Sequence, residues 1–358
     1  MSSNEDIYKL STYNYILPKE LIAQHPSLKR DESRLLCYKK SDDSITHHIF
    51  KELPELLNKG DVLVLNNTKV ITARFFATTD LGKKIEILLV RPTNPANLTW
   101  KILAKPKKHL TKAKTITIQA TEKKLEIDII NDETVDLKHP DRVELILNQI
   151  GQMPLPPYIK RDKGQQTRDN RQGTTDKSSN DFDRYQTVFA KEEGAVAAPT
   201  AALHFTEELL NKLQEKGVEI LYITLHVGPG TFLPVRTGDI REHKMMPENY
   251  FIDQTTWNQI LKAKEEKRRV IACGTTTVRA LEYANLISKY SGQTNLYLTP
   301  GFQFKIVDAL ITNFHLPQTT LLILVSAFLG WDKIKALYNE AIKNKYRFYS
   351  YGDAMFIS

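Results

Sequence analysis

Residues 194–232, GAVAAPTAALHFTEELLNKLQEKGVEILYITLHVGPGTF, predict a loop, a helix, a buried strand and a second loop. Thr206 is the expected N-cap, because leucines at helical spacing follow it, and Gly217 is the expected end of the helix. The apolar strand Val218–Leu225 then runs into His226 and a glycine-rich turn. Open α/β sheets bind ligands at the carboxyl ends of their strands. This histidine is therefore a candidate functional residue, although an ordinary helix–strand unit would show the same pattern.

Helices and strands alternate on both sides of a segment that is rich in β-strands alone. From Ala73 to Leu147, short alternating or β-branched runs follow one another without a convincing helix, which is typical of a small β-barrel or sandwich. We predict an α/β fold in which a discontinuous main domain (1–72 and 150–358) carries an inserted small β-barrel domain (73–149). The mostly polar residues 161–182 are predicted to form a mobile loop. The last strands that we expect are residues 296–299 and 347–351.

The length and composition favour a soluble, intracellular protein. The chain has 358 residues, of which 41% are hydrophobic and 26% are charged, as in globular proteins with one large or two ordinary domains. No apolar run reaches the ~18 residues of a membrane helix, and the amino terminus does not resemble a signal peptide. Cys37 and Cys273 lie far apart and fit neither a disulfide framework nor a zinc site, so we expect a reducing cytoplasm.

The charge is basic and unevenly distributed. The net charge of +8 suggests a polyanionic partner. Much of the excess positive charge lies between Lys101 and Lys124, a segment with eight lysines and a single acidic residue, Glu122. A lysine-rich face that discourages edge-to-edge strand pairing would give the same pattern. Charge alone therefore leaves nucleic-acid binding open.

A second candidate site lies where a buried strand is predicted to meet a helix, at Gly274–Thr277. Free backbone N–H groups at a helix start bind anions, and Arg279 adds a positive charge nearby. A phosphate or a carboxylate would fit, and a simple threonine N-cap would explain the same residues. The segment is neither a Walker loop nor a dinucleotide-binding fingerprint, because the glycine spacings of both are absent.

Several histidines lie in loops or at strand ends, where acid–base chemistry is plausible. Glu242 stands beside one of them and supplies a possible acid–base pair. The spacings of histidine metal ligands are absent and no cysteine joins the set, so we do not expect a metal site. The four histidines in this group are His204, His226, His243 and His315.

Long motifs occur along nearly the whole chain, namely QHP (24–26), RDESRL (30–35), LVLNNTKVITAR (63–74), MPLPPYIKR (153–161), DRYQTVFA (183–190), GAVAAPTAALHFT (194–206), TLHVGPGTF (224–232), EHKM (242–245), GTTTVRALE (274–282), LITNFHLP (310–317) and YRFYSYGDAM (346–355). Together these motifs resemble one family, the S-adenosylmethionine:tRNA ribosyltransferase-isomerases of queuosine biosynthesis. The chain departs from the family pattern at Pro229, at Asn67 and Lys69, which replace Asp and Arg, and at Met245–Pro247, where a His-Ser pair is usual.

The resemblance implies a specific fold and reaction. The family fold is an α/β domain with an inserted β-barrel. The family transfers the ribosyl part of S-adenosylmethionine to the aminomethyl group of 7-aminomethyl-7-deazaguanine at the tRNA wobble position. The sugar is isomerised, giving epoxyqueuosine, while adenine and methionine are released. S-adenosylmethionine is thus a consumed substrate, and the resemblance implies a cytoplasmic monomer that binds tRNA, avoids membranes and needs no metal or redox cofactor.

The resemblance also assigns expected roles to residues. His226 and His243 are the expected acid–base pair, with Glu242 orienting them and His204 or His315 in support. The residues expected to bind S-adenosylmethionine are Gly274, Thr275, Thr276, Thr277, Arg279, Thr200, Thr231, Asn66 and Thr68. Those expected to contact tRNA are Gln24, His25, Arg30, Arg34, Arg74, Lys105, Lys107 and Lys108, with Tyr185 or Phe314 stacking on a splayed wobble base. Which histidine is the acid, the order of steps and the domain orientation stay open at this stage.

Two other functions are consistent with parts of the sequence. An S-adenosylmethionine-dependent RNA methyltransferase would explain the basic charge, but its glycine-rich first loop with an acidic residue on the next strand is absent. A non-enzymatic RNA-binding module would use the barrel as its platform, yet it would leave the histidines and the Gly–Thr segment without a role. Analysis of the reaction product separates the three.

Overall fold

A computed structural model describes residues 6–93, 99–120, 123–137, 151–161, 181–232 and 234–358. The strands are β1 (Arg34–Lys39), β2 (Ser44–Ile49), β3 (Val62–Asn66), β4 (Thr68–Val70), β5 (Arg74–Thr79), β6 (Lys84–Pro92), β7 (Thr99–Lys105), β8 (Thr115–Ala120), β9 (Lys123–Asn131), β10 (Thr134–Asp136), β11 (Glu192–Ala195), β12 (Glu219–Leu225), β13 (Glu248–Phe251), β14 (Val270–Cys273), β15 (Ser291–Thr294), β16 (Ala309–Asn313) and β17 (Ala354–Ile357). The α-helices are α1 (Leu53–Leu56), α2 (Asp181–Arg184), α3 (Glu207–Glu215), α4 (Gln254–Glu265), α5 (Thr275–Ile287), α6 (Thr320–Leu329) and α7 (Trp331–Lys343).

The main sheet has nine strands in the order β15-β13-β12-β3-β14-β16-β17-β1-β2. Its centre, β12-β3-β14-β16, is parallel, whereas β13, β15 and β2 pair antiparallel at the two sides. The central strands β3 and β14 have the sequences VLVLN and VIAC and are fully buried, as parallel strands covered on both faces require. The carboxyl ends of four neighbouring strands therefore meet at one edge of the sheet.

The two faces of the sheet have separate hydrophobic cores. In β3, Val62 and Val64 belong to one core, and Leu63 and Leu65 belong to the other, because successive side chains of a strand point to opposite faces. The first core includes residues of α4, α5, α6 and α7, and the second includes residues of α1 and α3. Helices on both faces confirm the predicted α/β class.

The inserted segment forms a closed barrel of strands in the order β10-β7-β6-β5-β8-β9. Inward-facing residues such as Phe75, Ile87, Ile116 and Ile127 fill it. The predicted fold class, a main α/β domain with an inserted β-barrel, is confirmed. The exact domain boundaries stay a prediction, since residues 138–150 and the greater part of the predicted mobile loop, 162–180, lie outside the described residues.

Local predictions succeed where a cap or a buried strand determines the element. The Thr206 hydroxyl accepts a hydrogen bond from the Leu209 N–H at 3.1 Å and starts α3 as expected.

Among the described residues, no helix is both long and apolar enough to cross a membrane.

The two last predicted strands are wrong. Near 296–299 the strand is β15, which pairs with β13 although its sequence, SGQT, has low strand propensity. Residues 347–351 form a turn, with Tyr349 at φ 75°, and the strand follows as β17. The turn is held by the buried Asp353 carboxylate, which accepts the backbone N–H groups of Arg34 at 3.1 Å and Arg347 at 2.8 Å. A Cβ on Gly352 would lie 2.5 Å from the Arg347 carbonyl oxygen, so only glycine fits there.

Candidate functional site

The carboxyl edge of the parallel strands brings distant motifs together. Asn66 ends β3, His226 follows β12, Gly274 follows β14, and His315 lies two residues beyond β16. The strand register places these positions side by side, since Ile223 pairs with Asn66. The expectation that functional residues gather at this edge follows from the parallel topology.

Hydrogen bonds from the Asn66 side chain link β3 to β12 and to α5. Its side-chain oxygen accepts the Leu225 N–H at 3.0 Å, and its Nδ2 donates to the Leu225 carbonyl at 2.9 Å and to Thr276 Oγ1 at 3.3 Å. The residue has no exposed surface. Its amide therefore aligns the strand ends, and the neighbouring Asn67 is the asparagine that lines an open cleft.

His226 is held in a defined orientation. Its Nδ1 lies 2.9 Å from the hydroxyl of the buried Thr68. The ring also packs on Gly194, where φ is 146° and a Cβ would come within 3.0 Å of the imidazole. Burial lowers the pKa of His226, and the Glu192 carboxylate partly opposes this effect. The imidazole is therefore neutral at pH 7, as a proton acceptor must be.

A cleft of about 740 Å³ opens beside His226. This volume lies within the range of small-molecule sites. Its wall combines aromatic side chains, amide and hydroxyl groups, and charges of both signs. The cleft is lined by Asn67, Phe189, Lys191, Glu192, Ile220, Leu221, Tyr222, Ile223, Thr224, His226, Phe251, Asp253 and Thr256.

A second, smaller cavity of about 40 Å³ lies at the start of α5. The N-cap residue of this helix, Gly274, has no side chain to accept from its first backbone N–H groups, which can therefore bind an anion. Four of the residues that were expected to bind S-adenosylmethionine and one expected catalytic histidine meet here, namely Thr200, Gly274, Thr275, Thr276 and His315. Thr277 instead donates its hydroxyl to the Cys273 carbonyl at 2.7 Å. Val227 lines this cavity and His226 lines the cleft, so adjacent residues border the two spaces.

His204 and His315 are buried. The Nδ1 of His204 lies 2.7 Å from Ser33 Oγ, and burial lowers its pKa to about 4. The Nε2 of His315 lies 2.9 Å from Thr312 Oγ1, and burial lowers its pKa to about 3. Both rings are neutral near pH 7. Of the two, His315 borders the small cavity, whereas His204 packs against Phe50 at a centroid distance of 4.9 Å.

His243 lies on a different loop, with its ring edge-on to Tyr297 at 5.3 Å. Burial lowers its pKa as well. Glu242 is exposed, and in the part of the chain that the structure describes no hydrogen bond joins it to His243 or joins His243 to His226. The structure therefore does not bring the expected acid–base set into direct contact. Thr231 belongs to the turn Pro229–Phe232, but its side chain lies outside the described part of the chain.

Arg279 is not a free charge at the helix start. It is 3% exposed and forms an ion pair with Glu248, which is 4% exposed, while its Nε donates to the Leu296 carbonyl at 2.9 Å. The other oxygen of Glu248 accepts the Gly228 N–H at 2.7 Å. Glu248 thus joins α5 to the turn after His226. Sequence reasoning missed it, because a single glutamate at the start of a short strand carries no distinguishing pattern.

The two aromatic residues expected to stack on RNA are buried, and that expectation is wrong. Tyr185 and Phe314 have no exposed surface. Phe314 packs among Tyr338, Tyr346 and Phe348, and Tyr185 packs against Tyr351. Their motifs resemble loops in sequence, but both loops fold into the interior, where neither ring can reach a base.

The polar residues expected to contact tRNA divide into two groups. His25, Lys105, Lys107 and Lys108 are exposed, and Lys107 pairs with Asp132 and Glu133. The others hold the chain together through hydrogen bonds. Gln24 bonds to Tyr158 and Lys160, Arg30 to Leu203 and Asp183, Arg34 to Asp353 and Asn344, and Arg74 to Leu155 with an ion pair to Glu86.

Across the described residues, no group of three or more His, Cys, Asp or Glu side chains is placed to hold a metal ion. Cys37 and Cys273 are buried free thiols. Burial raises the pKa of the Cys37 thiol to about 12, so this sulfur stays protonated near neutral pH.

Comparison with known proteins gives consistent matches over the full length. A chain named S-adenosylmethionine:tRNA ribosyltransferase-isomerase from Sulfurihydrogenibium sp. (strain YO3AOP1) is 48% identical over 98% of this chain and 99% of its own length. A protein of the same name from Carboxydothermus hydrogenoformans is 46% identical over the same shares. A crystal structure of S-adenosylmethionine tRNA ribosyltransferase from Thermotoga maritima is 35% identical, with a TM-score of 0.54 over 97% of this chain and 100% of that chain.

The sequence profile of one protein family, described as "Queuosine biosynthesis protein", matches residues 10–357. This range includes every segment of the candidate site, from Asn66 to the turn at Asp353. The chain belongs to the queuosine biosynthesis protein family.

Proposed function

We infer that the protein transfers the ribosyl part of S-adenosylmethionine to the 7-aminomethyl group of 7-aminomethyl-7-deazaguanine at the tRNA wobble position. The sugar is isomerised on transfer, which gives epoxyqueuosine-tRNA, and adenine and methionine leave. Family membership and the names of the full-length relatives support this reaction. The structural observation that supports it most is the neutral, fixed His226, which lines the large cleft and precedes Val227, a residue of the small cavity at the start of α5.

His226 is the proposed base. The sulfonium acidifies the adjacent ribose carbon, and a base must remove a proton there. The Thr68 hydroxyl has the Glu192 carbonyl at 3.5 Å as an acceptor for its own proton. It then accepts from the Nδ1–H of His226, and this leaves the lone pair on Nε2. Among the described residues no hydrogen bond occupies Nε2, so it is available to substrate.

The small cavity is the proposed site of the methionine carboxylate. Its volume of about 40 Å³ suits a carboxylate and not a nucleoside, since one water needs at least ~10–15 Å³. Uncapped amides at the start of α5 and the hydroxyls of Thr275 and Thr276 would bind the negative charge. The ribose then lies toward Val227 and His226, the consecutive residues that line the cavity and the cleft respectively.

His243 is the proposed acid for the departing adenine. Partial burial lowers its pKa, so the protonated ring that can act as an acid is the minor form at pH 7, and the acid step should weaken as pH rises. Substrate must bring the two histidines to the same reacting sugar, because no contact joins them within the described residues. We further propose that the enzyme acts as a cytoplasmic monomer on its two substrates, without a metal or redox cofactor.

The experiment is an incubation with S-adenosylmethionine and an anticodon stem-loop that carries 7-aminomethyl-7-deazaguanine, followed by mass spectrometry. The expected result is RNA that gains the ribosyl-derived ring, together with equal amounts of free adenine and methionine. RNA that gains only a methyl group would support the methyltransferase alternative. Tight RNA binding without turnover would support the binding module.

A further inference from the structure

We propose that the cleft beside His226 is a stacking site for the splayed wobble base, and that Tyr222 and Phe251 supply its rings. This inference rests on the proposed function, since it assumes an RNA substrate. It assigns base stacking to an open face of the sheet, after Tyr185 and Phe314 are found to be buried.

Strand periodicity places Tyr222 on the face of β12 opposite the core. In β12, Leu221, Ile223 and Leu225 point into one hydrophobic core, so Tyr222 and the other alternate residues point to the opposite face. The backbone N–H of His226 donates to the Asn249 carbonyl at 2.9 Å and continues the ladder past the strand end. Residues 220, 222, 224 and 226 therefore form one row that leads from the sheet surface to the imidazole.

The neighbouring strand, β13, supplies the second exposed ring, Phe251. Tyr250 of β13 belongs to the core, so Phe251 lies on the same face as Tyr222. Phe251 pairs with Thr224, which makes Tyr222 and Phe251 diagonal neighbours across the two strands. Tyr222 is 36% exposed and Phe251 is 55% exposed, and Phe189 contacts the Tyr222 ring at a centroid distance of 5.4 Å. Exposed rings on neighbouring strands of one sheet face are a common platform for single-stranded bases.

Polar and charged groups also line the cleft. The side-chain oxygen of Asn67 accepts from the Thr224 hydroxyl at 2.7 Å, and among the described residues no group accepts from its amide N–H groups, which can donate to a base edge. Lys191 stands at the rim with its side chain 79% exposed, where a phosphate would pass. A net charge of +8 suits an RNA strand better than an apolar peptide. A base on these rings would place its aminomethyl group toward His226, next to the cavity proposed for methionine.

The test is to measure the affinity for the stem-loop and, separately, the affinity for S-adenosylmethionine in the variants Tyr222→Ala and Phe251→Ala. Stacking accounts for about 5- to 150-fold in RNA affinity per ring. We expect a loss of this size for RNA and a change below about twofold for S-adenosylmethionine. Tyr222→Phe keeps the ring and should bind as the wild type does. Leu286→Ala removes an apolar side chain that is 61% exposed on α5, away from the cleft, and is the matched control.

A stem-loop with an abasic wobble nucleotide separates stacking from a merely structural role. Removing the base should weaken binding to the wild type, but it should cause a much smaller loss in the alanine variants, because the ring–base contact is already gone. If removing the base weakened RNA binding equally in the wild type and in the alanine variants, the proposal would be overturned. A loss of S-adenosylmethionine affinity without a loss of RNA affinity would overturn it too, by assigning the cleft to adenine. A wild type without turnover would refute the proposed function itself, which is a different result.

Discussion

Among the interactions near the site, the ion pair between Glu248 and Arg279 should have the largest effect on stability when it is broken by mutation. Both side chains are almost fully buried, and Glu248 also accepts the Gly228 N–H at 2.7 Å. Glu248→Ala would leave a buried guanidinium without a counter-charge. Removing one partner of such a pair typically costs about 3–5 kcal/mol of unfolding free energy. We expect a loss of that size in urea unfolding at pH 7, followed by tryptophan fluorescence.

Two further variants make this prediction specific. Glu193→Ala removes the acid of an exposed pair with Lys69, where the N–O distance is 2.8 Å, and should cost less than about 1 kcal/mol. The double change Glu248→Leu and Arg279→Leu removes both charges and should recover much of the stability lost in Glu248→Ala. A Glu248→Ala protein as stable as the Glu193→Ala control would refute the reasoning. So would a double variant less stable than Glu248→Ala alone.

Three other predictions concern the histidines. If His226 is the base, the rising limb of the pH profile of kcat/KM has its midpoint below 6.5, because burial lowers the pKa of His226. His226→Gln should lower kcat about 10²–10⁴-fold, and an unchanged kcat would exclude this role. Gly194→Ala should also lower kcat, since the new Cβ displaces the imidazole, whereas Gly82→Ala, at φ 71° with open space around it, should change only stability. The pKa of His204 is lowered to about 4 in the folded protein, so the unfolded chain takes up this proton at higher pH. The free energy of unfolding should therefore fall as the pH drops from 6.5 to 4. Urea midpoints of His204→Asn that follow the wild-type pH dependence would contradict this.

The sequence predicts most of the fold because its local patterns agree with the tertiary structure. Apolar strands such as β3 and β14 must be buried, and caps such as Thr206 start helices wherever they occur. The convergence of His226 and Gly274 at one sheet edge follows from parallel topology alone.

The direction in which a loop side chain points was not predictable. Asn66 and Asn67 are adjacent and chemically identical, yet one aligns strands and the other lines the cleft. The same difficulty explains the error over Phe314, which stands between Asn313 and His315 in the sequence but lies inside an aromatic cluster. Glu248 pairs with a residue 31 positions away, and a non-local pair of this kind has no local signal in a single sequence.

The central claim is that both substrates meet at His226. The measurement that tests it most directly is a crystal structure with a stable S-adenosylmethionine analogue and the anticodon stem-loop. The account predicts the ribose carbon next to the sulfonium within about 3–3.5 Å of His226 Nε2, with the methionine carboxylate at the start of α5. A complex in which the ribose lies away from His226 would contradict the account, even if the reaction itself proceeds.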